Sequence, residues 1–369
     1  MPLDHARPVP PPRLVALATA VPPHELRQSD AREHVGRLFS GAIGADDRLL
    51  EVFENAEIDQ RHICVPIEWF ATDHGFAEKN ALYVEHAVRL ASEVTRKALA
   101  LAGLDPVDVD HVVFVSSTGL STPSIDALLA NALGFRPDVR RTPIWGLGCA
   151  GGAAGLAQAR DFALADPSAR VLMIALELCS LSFQFRDLDK RTLVAASLFG
   201  DGAAAAIVTG ADVPARPGGA RRPLELLGSR STLWKDTADV MGWTVDESGL
   251  HVVFSRDIPS IVRDRVRPSL LSFLDAQGLT VAAVPHLVAH PGGVKVLRAY
   301  AEALDLPATA FRHSRDVLRD HGNMSSPSCL FVLERFLDAQ DIAAGDHAIV
   351  AALGPGFCAE YLLLRGAAA

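Results

Sequence analysis

The chain has 369 residues, of which 49% are hydrophobic and 21% are charged, and its formal net charge is −9. This length and composition predict a large buried core and two domain-sized halves. The acidic balance and the lack of a long basic run argue against nucleic-acid binding. No apolar run reaches the ~18 residues that a membrane-spanning helix needs.

The cysteines favour a reducing compartment. There are five, an odd number, and no two have the C-x-x-C spacing. Neither a disulfide framework nor a zinc site is therefore expected, and a cytoplasmic location is predicted. The apolar run 14–21 follows proline-rich sequence and predicts a first strand rather than a signal peptide.

Strand-like and helix-like runs alternate along the chain. Residues 1–12 are proline-rich and predict a loosely attached or disordered tail. Strands are predicted at 14–21, 112–116, 143–145, 171–176, 203–208, 286–289 and 348–353. Helices are predicted at 124–133, 153–165, 258–274, 293–303 and 329–339. The alternation predicts an α/β protein whose sheets are covered on their faces. A Pro/Gly/Arg-rich segment at 211–222 predicts a linker between halves 13–215 and 216–369.

One cysteine lies inside a glycine-rich run between a predicted strand and a predicted helix. Cys149 is surrounded by the glycines of residues 146–155. A thiol at such a turn lies near the positive end of a helix dipole, which predicts a lowered pKa and a reactive thiolate. The small neighbours are expected to leave room for a substrate at the sulfur.

Two other polar residues have a similar setting. His290 ends a predicted strand before Pro291 and two glycines, and Asn323 follows Gly322 shortly before a helix. Each residue also has a structural interpretation, as a small core side chain, a turn residue or a helix cap. Together a thiol, an imidazole and a carboxamide suit acyl transfer through a thioester and decarboxylation of a malonyl thioester.

Five segments, in chain order, resemble the type III polyketide synthases, the chalcone-synthase-like branch of the thiolase superfamily. The segments are 148–152, 198–205, 289–293, 321–326 and 354–356. The resemblance implies a thiolase-like α/β fold with two similar halves in a five-layered αβαβα sandwich. It implies that Cys149 carries the acyl group, and that His290 and Asn323 activate it, drive malonyl-CoA decarboxylation and form the oxyanion hole.

The resemblance also implies a set of pocket residues. Thr122 is expected to reach across a homodimer into the partner's cavity. Leu224 and Val252 stand where the plant enzymes have gatekeeping phenylalanines, which implies a wider or more apolar cavity. Contacts with coenzyme A are implied for Arg61, Gly292 and Gly293. The remaining pocket positions are Ser117, Cys179, Ser182, Ser325 and Leu353.

Further segments resemble the bacterial alkylresorcinol and alkylpyrone synthases within that family. They are 61–69, 143–149, 232–237 and 239–243. The implied substrates are a fatty acyl-CoA starter and several malonyl-CoA extenders, with no cofactor and no metal. Chain length, number of extensions and mode of ring closure are not implied.

Three alternatives use parts of the same pattern. Gly146, Gly148 and Gly151 satisfy G-x-G-x-x-G, and Glu177 follows as a candidate ribose ligand of a dinucleotide-binding enzyme. That interpretation leaves His290 and Asn323 without a role. A ketoacyl synthase III shares the Cys-His-Asn trio but condenses once. A cysteine hydrolase also uses the trio, although these turns do not match a papain-type helix start.

Overall fold

The computed structural model of the chain describes residues 10–43, 47–185, 190–214, 221–255 and 258–368, with the backbone alone at 39–43 and 47. Most of the predicted tail, residues 1–9, and the centre of the predicted linker, residues 215–220, lie outside the described residues. Among the described residues, no helix is both long enough and apolar enough to cross a membrane.

All seven predicted strands are present, with each end within three residues of its prediction, and the described residues contain thirteen strands in all, six of them not predicted. They are β1 Arg13–Ala20, β2 His24–Arg27, β3 Gln60–Ile63, β4 His111–Val115, β5 Arg140–Ile144, β6 Arg170–Leu178, β7 Asp201–Thr209, β8 Leu224–Leu233, β9 Met241–Asp246, β10 Gly249–Phe254, β11 His286–Ala289, β12 His347–Gly354 and β13 Cys358–Gly366. Trp145 lies outside β5, and its side chain is 51% exposed.

The predicted helices are also present, although the longest helix, Phe76–Ala102, was not predicted, and the described residues contain eleven helices in all. They are α1 Gln28–Ile43, α2 Glu51–Glu54, α3 Phe76–Ala102, α4 Ile125–Leu133, α5 Gly151–Ala165, α6 Lys190–Leu198, α7 Ile258–Ile261, α8 Arg267–Ala276, α9 Val294–Leu304, α10 Arg312–His321 and α11 Ser328–Asp338. The single helix predicted at 258–274 is wrong in one respect, because a π-helical turn, Val262–Val266, separates α7 from α8. Pro268 has no N–H to donate to the preceding turn, which accounts for the widening there.

Nine strands form one mixed sheet in the order β11-β12-β13-β8-β1-β7-β6-β4-β5. Strands from the first part of the chain occupy one side of this order and strands from the second part the other. The two sides meet where β1 pairs antiparallel with β8, through Arg13 with Glu225 and Leu14 with Leu224.

Alternate residues of each strand enter different cores, which produces five layers. In β12, Val350 enters the central core that α5 and α11 fill, whereas its neighbour Ala351 enters the outer core beneath α8 and α9. In β4, Val113 faces the same central core and Phe114 faces the outer core beneath α3 and α4. The two parts of the continuous sheet therefore lie on either side of the central helices, each with helices on its outer face, and these five layers confirm the predicted αβαβα sandwich.

Candidate active site

Cys149 lies in a single 3₁₀ turn, Gly148–Ala150, between β5 and α5. Gly148 has a φ of 46°, and a Cβ there would lie 2.9 Å from Cδ of Pro355. A Cβ at Gly152 would lie 2.2 Å from the carbonyl oxygen of Ser326. The expectation that these glycines leave room for a substrate is therefore wrong, since they let the turn pack closely against the second half.

His290 follows the last residue of β11. Its backbone N–H donates to the carbonyl of Ala351 at 2.8 Å, and the Ser314 hydroxyl donates to the carbonyl of Ala289 at 2.8 Å. The ring is buried, and neither Nδ1 nor Nε2 has a hydrogen-bond partner among the described residues. Burial lowers the pKa of His290 to about 3, so the imidazole is neutral. An unpaired buried polar group is costly, which is typical of a site that a ligand completes.

Asn323 is tied by its backbone to the first half of the chain. Its N–H donates to the carbonyl of Leu198 at 2.8 Å, and its carbonyl accepts from the N–H of Gly200 at 3.0 Å. Its side-chain Oδ1 accepts from the N–H of Ser325 at 2.8 Å, and Nδ2 donates to the carbonyl of Gly292 at 3.3 Å. The amide is thereby held in one orientation, and one N–H of Nδ2 remains for another acceptor.

The thiol of Cys149 is protonated in this environment. Burial raises the pKa of Cys149 to about 11, against the opposing effect of hydrogen bonds with Ser325 and Asn323. The nearby carboxyl of Glu177 raises it further. The expectation of a lowered thiol pKa is therefore wrong, because desolvation outweighs the hydrogen bonds and the position before α5. A reactive thiolate at this position therefore requires a neighbouring proton acceptor.

The three predicted catalytic side chains open into one cavity of about 500 Å³, called here the nucleophile cavity. Cys149, His290 and Asn323 are among its polar lining residues, and much of the wall is apolar. Predicted pocket residue Leu353 and predicted CoA contacts Gly292 and Gly293 also line it. The structure thus brings together residues that lie far apart in the sequence.

A second cavity, of about 380 Å³, lies on the other side of α6 and is called here the side cavity. Of the predicted pocket residues it contains Cys179, Ser182 and Val252. Burial, and then Glu177, Asp201 and Cys149, raise the pKa of Cys179 well above its usual value. Its apolar lining includes Leu26, Ala31, Val35, Ile63, Ile67, Phe70, Ala195 and Ala196.

Two phenylalanines, which the sequence analysis did not single out, mark the boundary between the cavities. Phe199 lines the side cavity, Phe254 lines the nucleophile cavity, and their ring centroids are 5.7 Å apart. Phe199 also forms a backbone bridge with Asn323. The signal in the sequence was that Phe199 lies in the segment 198–205, which resembles the family. Its contact with Asn323 becomes visible only in the tertiary structure.

Three predicted contacts do not fit their locations. Leu224 is fully buried and lines neither cavity, because its face of β8 packs against the central core. Ser117 is also buried, and its Oγ accepts from the N–H groups of Gly146 and Gly148 at 3.1 and 3.2 Å. Arg61 is 2% exposed, and its two terminal nitrogens donate to Gln28 and to backbone carbonyls of α6 and Phe199. A guanidinium so engaged is not available to a CoA phosphate.

The two other predicted pocket residues lie at opposite extremes of exposure. Thr122 is exposed, at the cis peptide bond Thr122–Pro123. Ser325 is buried beside Cys149, with a left-handed φ of 58° that is uncommon for serine. A residue held in this region of backbone space is frequent at functional sites, where surrounding contacts compensate the strain.

Glu177 has a structural role that excludes the ribose contact of the dinucleotide interpretation. It is completely buried, and its carboxylate accepts from Ser117 N–H at 2.9 Å, Thr118 Oγ1 at 2.8 Å and Ser326 Oγ at 2.9 Å. Burial raises its pKa to about 7, against these hydrogen bonds. Glu177 thus joins the segment that holds the Cys149 turn to the segment that follows Asn323. The signal in the sequence was a carboxylate within an otherwise apolar strand.

The described residues contain no cluster of three or more His, Cys, Asp or Glu side chains arranged to hold a metal ion. The chemistry that this arrangement supports is acyl transfer to a thiol, with an imidazole as proton acceptor and N–H groups for a developing oxyanion.

Comparison with known proteins agrees with this chemistry. Residues 7–213 match the family model for chalcone and stilbene synthases, N-terminal domain, and residues 225–368 match the model for the C-terminal domain. The 1,3,6,8-tetrahydroxynaphthalene synthase of Streptomyces peucetius subsp. caesius is 41% identical over 353 residues, 95% of this chain and 92% of that protein. The α-pyrone synthesis polyketide synthase-like Pks18 of Mycobacterium tuberculosis is 31% identical over 366 residues, 96% of this chain and 92% of that protein.

A solved structure shows the same likeness in three dimensions. The 1,3,6,8-tetrahydroxynaphthalene synthase of Streptomyces coelicolor A3(2), a bacterial type III polyketide synthase, superimposes with a TM-score of 0.89. The match covers 97% of this chain and 100% of that chain at 32% identity. With both family models matched across nearly the whole length, the chain belongs to the chalcone and stilbene synthase family and is a type III polyketide synthase, an acyltransferase.

Proposed function

We propose that Cys149 accepts a fatty acyl group from acyl-CoA and that repeated decarboxylative condensation with malonyl-CoA extends it, before ring closure to an alkylpyrone or alkylresorcinol. The observation that carries this proposal is the meeting of a buried thiol, an unpartnered imidazole and an oriented carboxamide in the nucleophile cavity. No added cofactor or metal is required by these steps.

Loading begins with two neutral groups. As Sγ of Cys149 bonds to the carbonyl carbon of acyl-CoA, the thiol proton passes to a ring nitrogen of His290. The resulting oxyanion accepts hydrogen bonds from N–H groups, and its collapse breaks the carbon–sulfur bond to CoA. The departing CoA thiolate takes the proton back from His290. Because both groups are buried, the transient imidazolium is strongly stabilised by the developing negative charge beside it.

Condensation needs the same groups in a different role. Loss of CO₂ from malonyl-CoA leaves the electron pair of the broken carbon–carbon bond as a thioester enolate. The N–H of Asn323 Nδ2 that hydrogen-bonds with Cys149 and the N–H of neutral His290 can donate to the enolate oxygen. The enolate carbon then attacks the acyl carbonyl, and Sγ of Cys149 leaves as the thiolate that receives the extended chain.

The side cavity supports a fatty starter. About half of its lining residues are aliphatic or aromatic, and Cys179 in its wall lies close to the thiol of Cys149. Its volume is within the ~300–1,000 Å³ of small-molecule sites. Val252 replaces an aromatic gate of the plant enzymes with a smaller side chain. Each buried methylene is worth about 0.8 kcal/mol, or roughly a fourfold gain in kcat/KM if it is realised in the transition state.

A second candidate is synthesis of 1,3,6,8-tetrahydroxynaphthalene from malonyl-CoA alone. The 41% identity to the Streptomyces peucetius enzyme of that name favours it. The starter would then be a malonyl-derived acetyl unit, and the side cavity would hold the growing polyketide instead of an alkyl chain.

Product analysis with malonyl-CoA and saturated acyl-CoA starters of increasing length distinguishes the two candidate functions. We expect kcat/KM to rise about fourfold per methylene until the side cavity is filled, and then to fall. Efficient turnover of malonyl-CoA alone, with no gain from longer starters, would contradict the fatty-starter proposal and support the second candidate.

A homodimer through the surface around Thr122 is part of the proposal. Leu120 and Trp145 are 44% and 51% exposed there, beside the unpaired edge of β5. Trp145 Nε1 donates to the carbonyl of Gly119 at 3.1 Å, which holds its ring on this surface. Light scattering should give twice the chain mass for the wild type and a lower mass for Trp145→Asp.

The division into halves 13–215 and 216–369 and the cytoplasmic location stay predictions.

A further inference from the structure

Arg61, in β3, is a buried cation that has no part in the proposed mechanism. Its Nη1 donates to the carbonyls of Ala196 at 2.6 Å and Phe199 at 3.0 Å. Its Nη2 donates to the carbonyl of Ser197 at 3.0 Å and to Oε1 of Gln28. Burial lowers the pKa of Arg61 to about 10, so the guanidinium is still charged at neutral pH. A charge buried at this cost, with backbone carbonyls as its main acceptors, indicates a specific structural task.

The carbonyls that Arg61 engages lie at the C-terminal end of α6. The last carbonyls of a helix have no N–H partner within the helix, and a cation there interacts favourably with the helix dipole. Gln28 adds to the same contact, because its Nε2 donates to the carbonyl of Ser197 at 3.0 Å and to that of Phe53 at 2.9 Å. Arg61 and Gln28 together thus fix the end of α6 to β3 and α1.

The segment that Arg61 holds also holds Asn323. The carbonyl of Leu198 accepts from the N–H of Asn323 at 2.8 Å, and the N–H of Gly200 donates to the carbonyl of Asn323 at 3.0 Å. The carbonyl of Phe199, between them, accepts from Arg61. Successive carbonyls of an extended segment point in opposite directions. Residues 198–200 therefore have Asn323 on one side and the guanidinium on the other.

Two glycines leave little room between Arg61 and the backbone beside Asn323. A Cβ at Gly200 would lie 2.5 Å from the carbonyl oxygen of His321 and 3.2 Å from Cβ of Arg61. A Cβ at Gly322 would lie 3.6 Å from Cβ of Arg61. Because the packing is this close, a displacement around Arg61 is transmitted to the backbone that carries the Asn323 amide.

His290 is positioned by a different set of contacts. Its N–H donates to the carbonyl of Ala351, and the carbonyl of the residue before it accepts from Ser314. Both partners lie in the second part of the chain, whereas Arg61 engages the first part. A change at Arg61 should therefore disturb Asn323 and leave His290 in place.

The geometry points to Arg61 as a positioning residue, which holds residues 198–200 so that the amide of Asn323 faces the enolate formed from malonyl-CoA. Arg61 acts through the backbone of Asn323 and not by contact with the substrate. The inference rests on the proposed function in taking Asn323 as a donor to the enolate oxygen. Arg61 should affect decarboxylation of malonyl-CoA more than loading of Cys149, because loading depends on His290 as the proton acceptor.

A double-mutant cycle between Arg61 and Asn323 tests this assignment. Arg61→Met should lower kcat for malonyl-CoA decarboxylation about ten- to a hundredfold, since a misplacement of about 1 Å is enough for such a loss. In the Asn323→Ala background the same substitution should have no further effect, because the amide that it displaces is absent. Acylation of Cys149 and the Kd for coenzyme A should keep their wild-type values in Arg61→Met.

Arg160→Met is the matched control. Arg160 also donates to two backbone carbonyls, at 3.2 and 2.8 Å, but they belong to β8 and not to the segment beside Asn323. Any loss of stability that it causes should leave the rate of decarboxylation unchanged.

A conservative variant keeps the test decisive if Arg61→Met does not fold. Arg61→Lys retains the charge but not the planar fork, and should lower decarboxylation about threefold, a loss that also disappears in the Asn323→Ala background. Hydrogen exchange gives an independent readout. The backbone N–H of Asn323 should exchange faster in both Arg61 variants and at the wild-type rate in Arg160→Met.

Three outcomes would overturn the assignment: an equal loss of decarboxylation with and without the Asn323 amide, an unchanged rate in Arg61→Met, or a raised Kd for coenzyme A. Failure of the proposed function would appear instead as a wild-type decarboxylation rate in Asn323→Ala. In that case faster hydrogen exchange at Asn323 in the Arg61 variants would still support the positioning of Asn323 by Arg61, and the enolate role alone would be overturned.

Discussion

The nucleophile cavity and the side cavity each contain a buried cysteine whose pKa burial raises, yet their chemistry differs. Cys149 shares its cavity with His290 and Asn323, while Cys179 shares the side cavity with about equal numbers of apolar and polar side chains. Both thiols lie next to the carboxyl of Glu177, which disfavours thiolate at either site. The difference teaches that reactivity here depends on a nearby proton acceptor and oxyanion donors, since burial and position at a strand end are common to both.

Removal of each thiol in turn tests this difference most directly. Cys149→Ala should abolish the acyl-enzyme and lower product formation at least about a thousandfold, because no other group can carry the chain. Cys179→Ala should still be acylated. Intact-protein mass spectrometry after addition of acyl-CoA measures both. An adduct that persists on Cys149→Ala, or that is lost on Cys179→Ala, would reverse the assignment.

The partners of Cys149 are the next test. His290→Ala and Asn323→Ala should each slow malonyl-CoA decarboxylation by about 10²–10³-fold, because each removes a donor to the enolate oxygen. His286→Ala, at the start of the same strand, is the control and should leave the rate unchanged. Release of labelled CO₂ from malonyl-CoA gives the measurement. A wild-type rate in either of the two variants would contradict the enolate role.

Glu177, whose carboxyl raises the pKa of both thiols, predicts a pH dependence of the free energy of unfolding. Its pKa is raised from 4.5 to about 7, so the folded state holds its proton more tightly than the unfolded state. The stabilisation is complete below pH 4.5 and is lost as pH rises through about 7, on the order of 3 kcal/mol.

Glu177→Gln removes this titration while keeping the shape of the side chain. Wild type should therefore lose stability relative to Glu177→Gln between pH 4.5 and pH 8, measured as the free energy of unfolding in urea. Glu93→Gln on the outer face of α3 is the control. Parallel pH profiles for wild type and Glu177→Gln would show that the carboxyl is ionised throughout.

The smallest effect concerns the wall of the side cavity. Val252→Phe should shorten the preferred starter and lower kcat/KM for long acyl-CoA about tenfold, by filling space that the chain would occupy. Leu224→Phe should leave starter preference unchanged and lower the free energy of unfolding by about 1–3 kcal/mol through overpacking of the central core. Competition between short and long acyl-CoA measures preference. A shift caused by Leu224→Phe would place that residue in the cavity wall.

Much of the fold could be predicted because its signals are local. Strand β11 was predicted at its observed residues, and α9 and α11 to within one residue at each end, since apolar periodicity and flanking glycines or prolines mark such elements. The π-helical turn before Pro268 was missed because the apolar period continues through it.

The candidate site was predictable to a different degree for each residue. Cys149, His290 and Asn323 each end a regular element beside glycine, and each lies in a segment that resembles the family. Leu224 could not be excluded as a pocket residue, because a one-residue change of register in a strand reverses the face that it presents. Arg61 could not be excluded as a contact of coenzyme A, because the backbone carbonyls of α6 that accept from its guanidinium are distant in the sequence.

The amino-acid sequence alone determined the α/β alternation and the expectation of acyl transfer, and it singled out Cys149, His290 and Asn323 as candidate catalytic residues, because these depend on residue type and short-range order. Packing of the two halves decided the protonation of Cys149 and His290 and the roles of the glycines and Glu177. It also decided which of the two cavities Val252 lines. Those properties arise from desolvation and from contacts across more than a hundred residues, and no local pattern encodes them.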